Sequence, residues 1–117
     1  MHTVYLGLGA NLNAPRKQIH AAVAALKALK DVEFVCVSHD YASKPMGPQD
    51  QPDYVNAVAC VKTALKPEQL LDITQAIELE HGRVRKEERW GPRTLDIDIL
   101  LFGNDVIDTP RLTVPHY

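Results

Sequence analysis

The sequence has no apolar run of membrane-spanning length, no basic leader, no surplus of positive charge and only two cysteines, and each shortage removes a class of protein. No apolar stretch approaches the roughly 20 residues that cross a bilayer, and no basic segment precedes an apolar one at the start, so neither export nor membrane insertion is expected. A formal net charge of -2 and a pI near 6.2 argue against a general nucleic-acid binder, so any anion site has to be local. Aromatic residues make up 6%, too few for a sheet that stacks RNA bases. Cys36 and Cys60 stand in apolar stretches without C-x-x-C spacing, which reads as two buried, reduced thiols in a cytoplasmic protein. There is no GxxxxGK[ST] and no HExxH, so neither a P-loop kinase nor that type of zinc site is present. GLGANL, residues 7–12, keeps only the first two glycines of G-x-G-x-x-G, and Gly7 and Gly9 read instead as points of close backbone approach. His20, His39 and His81 read as surface or structurally satisfied; His116, after a proline, is the histidine with a functional reading.

What remains is an ordinary globular composition, 45% hydrophobic and 24% charged over 117 residues, which suits one domain. Thr3 to Gly9 alternates Val4, Leu6 and Leu8 with smaller or polar residues, the period of a strand. Asn13 as cap and Pro15 in the first turn predict a helix through Lys30, with Ile19, Ala22, Val23, Leu26 and Leu29 as its stripe. A second strand is expected over Val32–Tyr41, with Val35, Val37 and Tyr41 on one face and Phe34 and Cys36 on the other. The proline-rich stretch Ser43–Asp53 predicts an exposed loop. A third strand follows over Tyr54–Thr63, with Tyr54, Asn56, Val58 and Cys60 sharing a face. A helix then runs from Pro67 towards a C-cap at Gly82, burying Leu70, Ile73 and Ile77 and leaving Gln75 and Glu78 together on the opposite side. Leu95–Phe102 completes the order βαββαβ, an α+β ferredoxin-like fold with two helices packed on one face of an antiparallel sheet.

Asp96 and Asp98 interrupt that last apolar run, and a carboxylate without a partner is expensive to bury. On a strand they point to one face with Cα atoms about 6.6 Å apart. Two hard oxygen donors so placed suit Mg²⁺, which takes few carboxylates and keeps waters and substrate phosphates, and two ions about 3.5–4 Å apart fit between them and a polyphosphate. By itself D-x-D also fits a solvated edge-strand face. The preceding segment favours the anion reading. Arg83, Arg85, Lys86, Arg89 and Arg93 stand there against Glu87 and Glu88, with the single tryptophan, Trp90, beside Gly91 and Pro92. Arginine forks grip phosphate oxygens in pairs.

GPQDQPDYVNAV, ELEHGRVRKEERWGPRTLDIDILLFG and RLTVPHY together resemble the 6-hydroxymethyl-7,8-dihydropterin pyrophosphokinase family of folate biosynthesis, across essentially the whole chain. The resemblance implies a ferredoxin-like, cytoplasmic monomer that transfers pyrophosphate from ATP to the pterin hydroxymethyl group and releases AMP. It implies that Asp96 and Asp98 hold two Mg²⁺ ions along the triphosphate, and that Arg83, Arg93 and Trp90 belong to a mobile loop closing over the nucleotide. Gln75, Glu78, Ile99, Arg111, Thr113, His116 and Tyr117 match positions that contact ATP, while Tyr54 and Asn56, with the backbone around Ser43 and Met46, match the pterin pocket. Lys44 stands where the family commonly has proline and Ala10 where serine is common. Family chains continue past PHY, so residues 1–117 are expected to form a single pyrophosphokinase domain without the family's C-terminal segment. The alternative from another class is a non-catalytic ferredoxin-like sensor of a small ligand, which needs a pocket but no paired-metal strand.

Overall fold

The computed structural model describes residues 1–10, 14–43, 54–80 and 95–115. The elements are β1 (His2–Ala10), α1 (Pro15–Lys27), β2 (Val32–Val37), β3 (Tyr41–Ser43), β4 (Tyr54–Thr63), α2 (Pro67–Glu80), β5 (Asp96–Phe102), β6 (Ile107–Asp108) and β7 (Thr113–Val114). β2, β4, β1 and β5 lie side by side in that order, every neighbour antiparallel, and β3 extends the sheet beside the start of β4. This is the expected α+β ferredoxin-like arrangement, to which β6 and β7 add a small separate hairpin.

Strand alternation decides where the core sits. Val4, Leu6 and Leu8 of β1, Ala57, Ala59 and Val61 of β4 and Ile97 and Ile99 of β5 are buried on one face. Ile19, Ala22 and Leu26 of α1 and Leu70 and Ile77 of α2 close over them. Each such large side chain contributes about 1.5–3 kcal/mol on leaving water. Val23, Leu29 and Ile73 lie at the margin of this core, half-buried.

Two bulges bend the alternation. Phe34 pairs with Val61 but Cys36 with Cys60, leaving Val35 as an extra residue. Phe34 therefore faces the core, while Cys36 turns to the other side and is exposed, so the shared face and the burial expected for Cys36 are both corrected. In β5, Tyr5 pairs with Leu101 and Leu6 with Ile99, so Leu100 is the extra residue and Phe102 returns to the core, where it is fully buried.

The expected strand Val32–Tyr41 is divided by the link 38–40. There the Ser38 hydroxyl, instead of a main-chain carbonyl, accepts the Val58 N–H at 2.8 Å, while Ser38 N–H donates to the Val58 carbonyl at 2.8 Å. Ser43, expected in the loop, is paired with Tyr54 as the last residue of β3. Helix α1 ends at Lys27 rather than Lys30, and its N-cap position is Ala14, with φ of 57° and no side-chain capping bond; Asn13 lies outside the described residues.

Candidate active site

The sheet face away from the helices carries the polar residues. Asp96 and Asp98 project from β5 onto it, both half-buried. The register sets Asp96 opposite Gly9 and Asp98 opposite Gly7 on β1, and sets Gly9 and Gly7 opposite Asn56 and Val58 on β4. Tyr41 of β3 lies opposite Asn56 in turn, and Ser43 opposite Tyr54. A row Tyr41, Asn56, Gly9, Asp96 thus crosses four strands. With strands about 4.8 Å apart, the Asp96 and Asn56 backbones stand roughly 10 Å from each other.

Gly9 in that row, and Gly7 in the next one between Val58 and Asp98, bear no side chain, which makes this face a trough. A Cβ at Gly9 would stand 3.3 Å from Asn56 Oδ1 and 3.9 Å from Tyr54 Cδ1, and one at Gly7 would stand 3.2 Å from Leu100 Cδ2. A larger residue would press on Asn56 at the one position and on Leu100 at the other. β1 ends, β3 ends, and β4 and β5 begin at this end of the sheet, so the segments 11–13, 44–53 and 81–94 all join the described chain there.

Helix α2 holds the acidic strand from the other side. β5 is an edge strand, and the Ile97 N–H, between the two aspartates, donates to Glu78 Oε2 at 2.7 Å. Glu78 is 4% exposed, which corrects its expected place on the open side of the helix beside Gln75. An edge N–H covered by a helix needs an acceptor, and a buried carboxylate needs donors, so each satisfies the other.

The β6–β7 hairpin brings Arg111 to the same helix. Thr109–Leu112 forms its turn, with Thr109 N–H donating to the Leu112 carbonyl at 2.9 Å. Arg111 Nη2 donates to Asp72 Oδ1 at 2.5 Å and to Gln75 Oε1 at 3.5 Å, while Nη1 lies 3.8 Å from Glu68 Oε1. The bond to Asp72, with the charges of Asp72 and Glu68, pushes the Arg111 pKa above its ordinary value against a smaller opposing effect of desolvation. Its charge is therefore kept throughout the range in which proteins stay folded. Thr113, two residues on, is exposed on β7.

Residues 5–117 match the model of the 7,8-dihydro-6-hydroxymethylpterin-pyrophosphokinase family, HPPK. The chain belongs to the HPPK family. Among its relatives, the 2-amino-4-hydroxy-6-hydroxymethyldihydropteridine pyrophosphokinase of Haemophilus influenzae is 58% identical over 117 residues, which is 100% of this chain and 72% of that protein. The protein of the same name from Pseudomonas aeruginosa is 59% identical over 114 residues, 97% of this chain and 70% of its own. That from Pseudomonas putida is 54% identical over 113 residues, 97% of this chain and 92% of its own.

Within this HPPK chain, Asp96, Asp98, Tyr54 and Asn56 share one sheet face, with the Ser43 backbone beside Tyr54. Gln75, Arg111 and Thr113 gather instead at α2 and the hairpin. Ile99 is 2% exposed and belongs to the core. Arg83, Arg93, Trp90, Met46, His116 and Tyr117 lie outside the described residues. Reading the sequence missed Glu68 and Asp72, whose spacing with Gln75 at one helical face was the available signal. It also missed the hairpin, signalled by Thr109-Pro110-Arg111-Leu112 with proline at the second turn position. A cavity of about 420 Å³ between α1 and the 38–40 link, lined by Ile19, Val23, Lys27, Val37 and His39, lies on the helix side of the sheet, away from the aspartates.

Proposed function

We propose that the chain is an ATP-dependent diphosphotransferase of folate biosynthesis, passing pyrophosphate from ATP to the hydroxymethyl group of 6-hydroxymethyl-7,8-dihydropterin and releasing AMP. The observation that carries this reading is the trough, in an HPPK-family chain, with Asp96 and Asp98 on one wall and Asn56, across Gly9 from Asp96, on the other with Tyr54 beside it. Tyr54 supplies an aromatic surface and Asn56 an amide that both donates and accepts, a pair suited to the edge and face of a pterin ring. The family resemblance adds the backbone around Ser43 and Met46 to that pocket.

The donors fit Mg²⁺. Asp96 and Asp98 are hard oxygen ligands on one face of a strand, and among the described residues no group of three or more His, Cys, Asp or Glu forms a closed cage. Mg²⁺ takes few carboxylates and keeps waters and substrate phosphates, so the two residues would hold a pair of ions. Bound there, the ions supply neutralisation of charge on the phosphate oxygens.

The chain's own part is positioning and electrostatics. The pterin hydroxymethyl oxygen attacks the β-phosphorus in line as the bond to the α-phosphate oxygen breaks, with AMP as leaving group. Tyr54 and Asn56 orient the acceptor, while Asp96 and Asp98, their strand held by Glu78, set the position of the triphosphate. Arg83 and Arg93 grip the transferred phosphates and Trp90 covers them. Gln75, Ile99, Arg111, Thr113, His116 and Tyr117 receive the rest of the nucleotide, Arg111 exchanging Asp72 for phosphate. The protein acts as a cytoplasmic monomer with one pyrophosphokinase domain. No described helix is long and apolar enough to cross a membrane.

The test is AMP formation from ATP and the hydroxymethyl pterin, read beside calorimetry of ATP binding with and without Mg²⁺. Pterin-dependent AMP release and Mg²⁺-dependent ATP binding are expected. Pterin binding without either would make the chain a sensor and overturn the reading.

A further inference from the structure

We infer that Cys36 and Cys60 form a redox-active pair, a site at which a peroxide converts two thiols into one intramolecular disulfide joining β2 to β4. Neither cysteine belongs to the trough, and the inference does not depend on the proposed reaction.

The two residues are directly opposed in the β2–β4 register. They face the same side because of the bulge at Val35; without it, Cys36 would point to the core beside Phe34 and stand opposite Ala59. Opposed residues of an antiparallel pair have Cα atoms about 4.5–5.5 Å apart, inside the span of about 4.4–6.8 Å that a disulfide bridges. Their Cβ atoms, at about 4.5–5.5 Å, lie at or just beyond the usual limit of a relaxed bridge, about 4.5 Å. Closing the bond therefore needs a small inward shift, which the bulged edge strand can make more readily than a central one. A bridge held slightly stretched is readily reduced again, the behaviour of a regulatory bond rather than a permanent staple.

The exposures divide the labour. Cys36 is exposed on the edge strand and is the thiol an oxidant reaches. Cys60, 9% exposed, lies between Cys36 on one side and Tyr5 of β1 on the other. The Cys36 thiolate attacks a peroxide oxygen, the O–O bond breaks and hydroxide departs, leaving a sulfenic acid. The Cys60 sulfur then displaces hydroxide from that sulfur. In sum, two thiols and one hydrogen peroxide give one disulfide and two waters. A soft metal ion is the other ligand that two thiols suggest, but no third His, Cys, Asp or Glu joins them among the described residues. Cys60 shares its strand face with Tyr54 and Asn56, so the bond would tie the strand bearing the acceptor wall to the sheet edge.

The experiment exposes the full folded chain to graded hydrogen peroxide, quenches with an alkylating reagent, and reads intact mass and linked peptides. Both thiols are expected to disappear together, with loss of the mass of two hydrogens, a crosslinked peptide joining residues 36 and 60, no covalent dimer, and full recovery with dithiothreitol. The variant Cys36→Ser, at an exposed position, should keep its Cys60 thiol at the same dose, and Cys60→Ser should stop at a sulfenic acid on Cys36 that dimedone traps. Cys36 oxidised or bridged between chains while the wild-type Cys60 stays a thiol would overturn the inference. So would a wild-type chain that keeps both thiols at a dose that oxidises Cys36 in Cys60→Ser. The wild-type peptide map alone separates these outcomes even if a variant fails to fold.

Discussion

The two faces of the sheet are built by the same strands, residue by alternate residue, and they differ in what each side chain is for. Under the helices, Leu6, Leu8, Ala57, Ala59, Ile97 and Ile99 are apolar and nearly inaccessible, and their neighbours on the other side are Gly7, Gly9, Asn56, Val58, Asp96 and Asp98. One face therefore holds the fold, while the other is free to carry charge and empty space. The acidic pair thus costs the core nothing. It alternates with buried isoleucines rather than replacing them, and a helix carboxylate secures the strand that bears it.

That division can be broken first from the core side. Phe102→Ala, at a fully buried position, should destabilise the protein by about 3–5 kcal/mol in urea titration while leaving turnover per folded molecule unchanged. Asp98→Ala should do the reverse, lowering turnover by about 10²–10³-fold or more while moving stability by about 1 kcal/mol or less. Near-normal turnover in that variant would remove the metal role of β5.

Glu78 joins the two faces, so its loss should register on both. Glu78→Leu leaves the Ile97 N–H without its acceptor and should cost about 1–3 kcal/mol together with part of the activity. Glu78→Gln, which retains an acceptor oxygen, should restore most of each, and equal damage from both variants would argue for a role of the charge itself. Gly9→Ala, pressing on Asn56 Oδ1, should raise the pterin KM roughly tenfold with stability little altered. The smallest effect is expected at the hairpin. Asp72→Asn weakens the hold on Arg111 and should lower the ATP KM about two- to fivefold, in line with an exposed ion pair; a raised KM would mean that Asp72 orients the arginine for the nucleotide.

Much of this was legible beforehand where a pattern repeats. The alternation through Leu6 and Leu8, the helical stripe of Ile19, Ala22 and Leu26, and the bounds of β4 follow from periods of 2 and 3.6 that single residues cannot disguise. The candidate site was legible where chemistry contradicts pattern, as with Asp96 and Asp98 inside an apolar run. Cys36 was misjudged because a bulge shifts alternation by one residue, and the partner strand is what absorbs that shift. Glu78 was misjudged because helical spacing assigns a side but not the hydrogen-bonding needs of what lies there.

The sequence by itself determined the βαββαβ order, the apolar faces and the presence of a carboxylate pair, since these depend on local geometry and solvation. Only the tertiary structure decided that Gly9 separates Asp96 from Asn56 and Gly7 separates Asp98 from Val58, that Glu78 closes the edge of β5, that Arg111 rests on Asp72, and that two cysteines 24 positions apart meet across a strand pair. The physical reason is that register and edge satisfaction are properties of two strands at once, and no single segment encodes its partner.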